Sequence, residues 1–122
     1  MVKNLLLALL LISPASFADW GDVYYCQMTN LVEITLQGEK ESFSAQKFQF
    51  KLDPDKKSMV FGSSGYFKDQ VYKLTPNQHW PTVDVWYASG KFSSLFFEKG
   101  KFLYTDNGST GALMISADCD KF

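Results

Sequence analysis

Hydrophobic and polar residues alternate along several segments of the chain. In KFQFKL, residues 47–52, the two phenylalanines and the leucine fall on one side of an extended backbone, and the lysines and the glutamine fall on the other. Strict alternation with period two is typical of a β-strand that has one buried face and one wet face. No segment after residue 18 shows a convincing 3.6-residue apolar rhythm, so the pattern predicts an all-β protein. TNLVEITLQ, residues 29–37, fits either a continuation of the first strand or a helical turn.

Turn residues separate the predicted strands at short intervals. Pro54 presets the φ angle of a turn within DPDKK, and GSSG at residues 62–65 interrupts the next apolar segment. Glycine beside a polar residue then marks three hairpin turns, at Ser89-Gly90, Lys99-Gly100 and Asn107-Gly108. Because hairpin follows hairpin, the sequence predicts an antiparallel meander of about eight strands.

The first 18 residues have a pattern of another kind. Lys3 is followed by an unbroken apolar run at residues 5–12, and Ser16 and Ala18 place small residues ahead of Asp19. This is the arrangement of a secretory signal peptide cleaved after Ala18, with cleavage after Ala15 as the alternative. The run is far shorter than the ~20 residues that a membrane-spanning helix needs.

We therefore expect residues 1–18 to be a signal peptide and residues 19–122 to form a single all-β domain without a membrane span. Such a protein is exported to a periplasm or to the outside of the cell, and the short signal peptide favours a bacterial source.

The chain has two cysteines, Cys26 near the start of the predicted domain and Cys119 near its end. In an exported protein such a pair predicts a structural disulfide, whereas a redox or metal site normally needs closer cysteine spacing or neighbouring histidines. A disulfide requires the first and last strands to be neighbours. In a meander this closes the sheet into a small barrel and removes its edges, and a two-layer sandwich with adjacent terminal strands is the alternative.

Charge and composition exclude one class of partner. The formal net charge is −1, and every basic residue is a lysine. Arginine is the usual bidentate ligand for phosphate and guanine, so a slightly acidic chain without arginine argues against nucleic-acid binding.

Residues that could support catalysis or bind a metal are scarce. His79 is the one histidine, and it lies in a proline-bracketed loop at residues 75–81, while no GxSxG nucleophile motif appears. Asp53 and Asp55 resemble the start of a calcium loop, but Lys57 occupies the position of the third oxygen ligand. We therefore expect no enzyme activity, no cofactor and no metal site.

Aromatic residues are abundant, and most of them are expected in the core. The residues predicted to point inward from their strands are Phe48, Phe50, Phe92, Phe96, Phe102 and Tyr104. Trp80, Trp86 and Tyr87 lie in and after the irregular loop, and Trp86 falls on the strand face opposite Tyr87. One of these three rings should therefore face outward, as a contact for a partner or a sugar, or pack into a second layer.

Two functions fit these expectations. A rigid, disulfide-linked barrel can be a non-catalytic interaction module that presents its loops to an exported protein, for example as a hydrolase inhibitor. It can also carry a small apolar ligand in its interior, although many large inward phenylalanines weaken this alternative.

The strand pattern, with YYC at residues 24–26 and a late cysteine, resembles the small bacterial lysozyme-inhibitor barrels. The serine-glycine-x-x-tyrosine loop motif of those proteins is not matched, because Tyr66 directly follows Gly65. The resemblance implies a non-catalytic inhibitor.

Overall fold

The structure, a computed structural model, describes residues 18–76 and 85–122. The predicted signal peptide, apart from Ala18, lies outside the described residues. Ten strands occur in the described part of the chain: β1 (Val23–Thr35), β2 (Lys40–Ser42), β3 (Lys47–Asp53), β4 (Ser58–Phe61), β5 (Val71–Lys73), β6 (Thr75–Pro76), β7 (Val85–Ser89), β8 (Ser93–Glu98), β9 (Lys101–Asn107) and β10 (Gly111–Lys121).

All strand pairs are antiparallel, and the strands form one sheet that nearly closes into a barrel. The order across the sheet is β5-β4-β3-β1-β10-β9-β8-β7-β6, with β2 added to the end of β1. The predicted all-β meander and the adjacency of its first and last strands are confirmed. The barrel, rather than the two-layer sandwich, is the architecture observed.

The open seam of the barrel lies in the middle of the chain rather than at the paired termini. The edge strands β5 and β6 are consecutive segments separated by Leu74, and one pairs with β4 while the other pairs with β7. The side chain of Leu74 is buried, and its backbone N–H donates to the carbonyl oxygen of Lys57 at 2.9 Å. One short stretch of chain therefore serves both edges of the sheet, and the seam between them carries no strand pairing. The prediction that closure removes the edges is wrong, because β5 and β6 remain as edge strands.

The first strand is long because a β-bulge keeps its apolar residues inside. Tyr24, Cys26 and Met28 point inward at even positions, and the register then shifts by one residue, so that Leu31 also points inward. A bulge adds an unpaired residue and reverses the side-chain phase beyond it. The segment at residues 29–37 thus continues the first strand as far as Thr35, and the helical alternative is wrong.

Cys26 and Cys119 lie directly opposite each other on β1 and β10 and form a disulfide. Because β1 and β10 stand at the centre of the strand order, this bond joins the two strands on which both halves of the sheet are assembled. In the described part of the chain, no helix is long and apolar enough to cross a membrane.

The core consists largely of aromatic rings. Phe67, from the segment between β4 and β5, is fully buried, and its ring centroid lies 4.6 Å from that of Phe61 and 5.0 Å from that of Tyr104. The inward orientation predicted for four aromatic residues is confirmed, namely Phe48, Phe50, Phe102 and Tyr104. Such ring pairs stabilise the fold beyond simple area burial, by about 0.5–1.5 kcal/mol each.

The inward orientation predicted for Phe92 and Phe96 is wrong, since they are 62% and 39% exposed. Phe92 lies in the turn before β8, outside the strand. On β8 the apolar run Leu95–Phe97 fits either phase, and the observed phase buries Leu95 and Phe97 together while turning Phe96 outward. Burying two apolar side chains instead of one is the more favourable choice.

Candidate functional site

Five strands carry apolar side chains across the outer face of the sheet. Tyr87 lies opposite Phe96, Phe96 lies opposite Leu103, and Met114 is the diagonal neighbour of Leu103 on the next strand. We call this the apolar stripe; its members are Tyr87, Phe96, Leu103, Met114, Val32 and Ile34. Such cross-strand and diagonal neighbours lie within about 8 Å of each other, so the stripe is continuous from β7 to β1.

The apolar stripe is open to solvent over most of its length. Phe96 is 39%, Leu103 42% and Met114 48% exposed. A shallow depression of about 740 Å³ lies beside Phe96 and Leu103. It reaches an exposed ion pair between Lys101 Nζ and Asp118 Oδ1, 2.7 Å apart.

Polar groups border the stripe and have their own hydrogen bonds. The hydroxyls of Ser94 and Thr105 are 2.8 Å apart, and the Ser116 hydroxyl accepts from the Asn30 side-chain amide at 2.8 Å. An apolar centre with a satisfied polar border is the usual composition of a protein-binding surface.

The predicted aromatic contact residues are divided between the two faces of β7. The side chain of Trp86 is half-buried and packs against the core, with its ring edge-on to Trp20 at 4.9 Å. Tyr87 points to the outer face, and its ring lies 4.8 Å from that of Phe96. Trp80 and His79 lie outside the described residues. Of the three predicted contact residues, the structure therefore brings Tyr87 into the stripe and places Trp86 against the core.

A second outer surface lies over β10, β1 and β3, beside the segment at residues 62–65. It is a groove of about 440 Å³ that we call the polar groove. Its outward side chains are Tyr25, Gln27, Lys47, Gln49, Asp118 and Asp120, with Ser64 at one side.

Three tyrosines gather near Asp106 at one end of the barrel. The hydroxyl of Tyr104 donates to Asp106 Oδ2 at 3.4 Å, and the hydroxyl of Tyr72 donates to Gln70 Oε1 at 2.6 Å. Burial, supported by a hydrogen bond with Tyr72, raises the pKa of Tyr104 far above its ordinary value. Burial also raises the pKa of Tyr66, with the charge of Asp106 acting in the same direction. These two phenols stay protonated at neutral pH and can donate hydrogen bonds.

Of the two acidic residues singled out in the sequence, Asp53 has a structural role. Asp53 Oδ1 accepts from the backbone N–H of Asp55 at 2.9 Å, which closes the turn between β3 and β4. Within the described ranges, no group of three or more histidine, cysteine or acidic side chains could hold a metal ion.

Sequence reasoning identified Tyr87 of the apolar stripe but missed the other members of that stripe and the outward residues of the polar groove. A signal for the polar groove was available, because Tyr25 and Gln27 are out of phase with Cys26 while Asp118 and Asp120 are out of phase with Cys119. Once the disulfide sets the register, Tyr25 must lie opposite Asp120 and Gln27 opposite Asp118, as observed.

Comparison with known proteins gives no match, whether to a family model, to a curated protein or to a solved structure. The likeness to lysozyme-inhibitor barrels therefore remains a resemblance of pattern, and function is inferred from the geometry of the described residues.

Proposed function

We propose that the protein is a non-catalytic interaction module that acts outside the cytoplasm and binds an exported protein through the apolar stripe. The observation that carries this proposal is the stripe itself, in which Phe96, Leu103 and Met114 stay 39–48% exposed although a largely apolar interior lies on the other side of the same strands. A continuous exposed apolar patch with a polar rim is characteristic of an interaction surface.

The rigidity of the scaffold supports the same proposal. Four of the stripe's residues belong to the consecutive strands β7, β8, β9 and β10, and β10 is bonded covalently to β1. A surface held in its bound shape loses little conformational entropy on binding, so a larger share of the contact energy appears as affinity.

The packed core favours the interaction module over a carrier of an apolar ligand. Phe50, Phe97 and Phe102 are fully buried, and the ring centroids of Phe50 and Phe97 are 5.0 Å apart. These rings occupy the interior that a barrel-bound ligand would need.

A disulfide is typical of proteins in oxidising compartments. Together with the predicted signal peptide, the Cys26–Cys119 bond supports a location outside the cytoplasm. A partner reached there is itself exported.

Site-specific photo-cross-linking tests the proposal. Leu103 is replaced by p-benzoylphenylalanine, and the protein is irradiated in the exported fraction of its own host. We expect one discrete adduct with a second protein. The matched control carries the same residue at Asp55, which is exposed in the turn between β3 and β4 and should give no discrete adduct.

A second variant separates binding from folding. Because Leu103 is exposed, adding Leu103→Asp to a protein that carries the photoreactive residue at Phe96 should abolish the adduct with little loss of stability. Equal adducts from positions 103 and 55 would refute the proposal, and so would an adduct with twice the mass of this chain, which identifies a second copy as the occupant.

A further inference from the structure

Two rows of outward side chains cross β10, β1 and β3 in the polar groove. In the first row Tyr25 lies between Asp120 and Gln49, and in the second Gln27 lies between Asp118 and Lys47. Directly opposed residues in a sheet have Cβ atoms about 5 Å apart. The six side chains therefore form a compact grid on one surface.

The segment at residues 62–65 forms the wall of this groove at β3. The backbone N–H of Gly62 donates to the carbonyl oxygen of Gln49 at 3.0 Å. Gly65 lies so close to β3 that a Cβ atom there would be 2.6 Å from the carbonyl oxygen of Lys47. Ser64, between these two anchored glycines, lines the groove. The volume of this open groove, about 440 Å³, is in the range of small-molecule sites.

The charges in the grid nearly cancel. Asp118 is paired with Lys101 at 2.7 Å, which leaves Asp120 and Lys47 as charges of opposite sign at diagonal corners of the grid. An anion would meet Asp120, and a cation would meet Lys47. The groove therefore fits an uncharged ligand better than an ion of either sign.

The hydrogen-bonding groups of the grid include both donors and acceptors. The Gln27 amide donates from Nε2 to the carbonyl oxygen of Met28 at 3.2 Å and keeps its Oε1 as an acceptor. The amide of Gln49 offers donors and an acceptor, the carboxylate of Asp120 accepts, and the ammonium group of Lys47 donates. In the middle of the first row, Tyr25 is 47% exposed, and its ring centroid lies 5.4 Å from that of Phe122. An exposed aromatic face surrounded by such groups matches a ligand with an apolar ring face and hydroxyls on its rim.

We propose that the polar groove binds a neutral saccharide, with one sugar ring stacked on Tyr25 and its hydroxyls hydrogen-bonded to Gln27, Gln49 and Asp120. The disulfide holds these rows in register from the inner face of the sheet. Cys26 and Cys119 lie between the two rows and fix β1 against β10. The grid is thereby held in one geometry before a ligand arrives.

Amide NMR titration of the full disulfide-bonded protein tests this proposal with three probes: the trimer of N-acetylglucosamine, cellotriose and maltotriose. We expect at least one of them to produce saturable shifts centred on residues 25–27, 47–49 and 118–120, at concentrations up to about 10 mM. Tyr25→Ala should weaken that binding at least about fivefold, because the stacking contact is lost.

Asp120→Asn and Gln49→Ala provide variants that leave the packing of Tyr25 and Phe122 intact, and each should also weaken binding. Lys51→Ala is the matched control, since Lys51 is exposed on β3, the strand of Gln49, but lies outside the groove. This variant should leave the affinity unchanged. The proposal is overturned by the absence of saturable shifts with all three probes, or by equal affinity in Tyr25→Ala. Binding of methylguanidine but of no saccharide, lost in Asp120→Asn, would instead assign the groove to a cationic side chain.

Discussion

Gly62 and Gly65 bring the segment between β4 and β5 into direct contact with β3. Gly65 has a φ of +91°, and an added Cβ would lie 2.6 Å from a backbone oxygen of β3. The GSSG segment is thus explained by two close approaches of the backbone. It also leads into Phe67, whose buried ring packs on Phe48 at 5.1 Å.

We predict that Gly65→Ala destabilises the protein by about 3 kcal/mol, because a left-handed backbone and a steric overlap act together. Gly38→Ala is the control, since Gly38 has a similar φ of +86° but nothing within 4 Å of an added Cβ. The control should cost only about 1 kcal/mol. Urea unfolding of both variants measures the difference, and equal losses would show that contact with β3 contributes nothing.

The raised pKa of Tyr104 predicts that the free energy of unfolding depends on pH. Burial raises the pKa of its phenol above the ordinary value of about 10. Below that pH the phenol is protonated in both states and stability does not depend on its titration. Above it the unfolded chain loses the proton first, so the native state binds more protons and the free energy of unfolding falls as pH rises.

Tyr104→Phe should therefore reduce the fall in unfolding free energy at alkaline pH. Part of the fall should remain, because the pKa of Tyr66 is also raised. Urea unfolding at a series of pH values between about 8 and 12 provides the measurement. An unchanged slope in Tyr104→Phe would contradict the assignment.

At the scale of the element, β8 shows why side-chain phase is difficult to derive from sequence. Its apolar run satisfies two phases, and the choice depends on partners that the sequence does not reveal, with Leu95 opposite Tyr104 and Phe97 opposite Phe102. In β3 the alternation is strict, and the prediction for Phe48 and Phe50 was correct.

Adjacent phenylalanines on β8 provide a matched pair. Phe97→Ala should cost about 3–5 kcal/mol because it leaves a cavity in a dense core. Phe96→Ala should cost about 1 kcal/mol or less, since it removes only exposed contacts with its cross-strand neighbours Tyr87 and Leu103. Comparable losses of unfolding free energy in the two variants would mean that the strand has the opposite phase.

The bulge in β1 was beyond sequence analysis for a related reason. Tyr24, Cys26 and Met28 point inward at every second position, and Leu31 can also point inward only if one residue between them is unpaired. Nothing in the amino-acid sequence identifies Thr29 as the unpaired residue. Its hydroxyl lies 2.7 Å from that of Ser116, which becomes visible only when β10 is in place.

For the whole molecule, the two cysteines predicted more than any other pair of residues. They placed β1 beside β10 and fixed the register from which four of the six outward side chains of the polar groove follow. They did not reveal where the sheet remains open, because that depends on the short strands β5 and β6 around Leu74. Most of the apolar stripe was also missed, with Tyr87 the exception, because the stripe crosses five strands whose pairing register the sequence does not show.

Removal of the disulfide should weaken the entire barrel. We expect the double variant Cys26→Ala/Cys119→Ala to lose about 2–5 kcal/mol of unfolding free energy. The reduced wild-type protein should lose a similar amount, and its recovery on reoxidation is the control. Full stability in both forms would show that hydrogen bonding alone holds β1 to β10.

One measurement tests most directly whether the first and last strands are covalently joined. Protein purified without reductant is denatured, treated with an alkylating reagent and analysed by mass spectrometry. The structure predicts an unmodified mass and, after proteolysis, one linked peptide pair that contains Cys26 and Cys119. Two alkylated cysteines would contradict the joining of β1 to β10 and, with it, the rigid outer face on which both proposed binding surfaces depend.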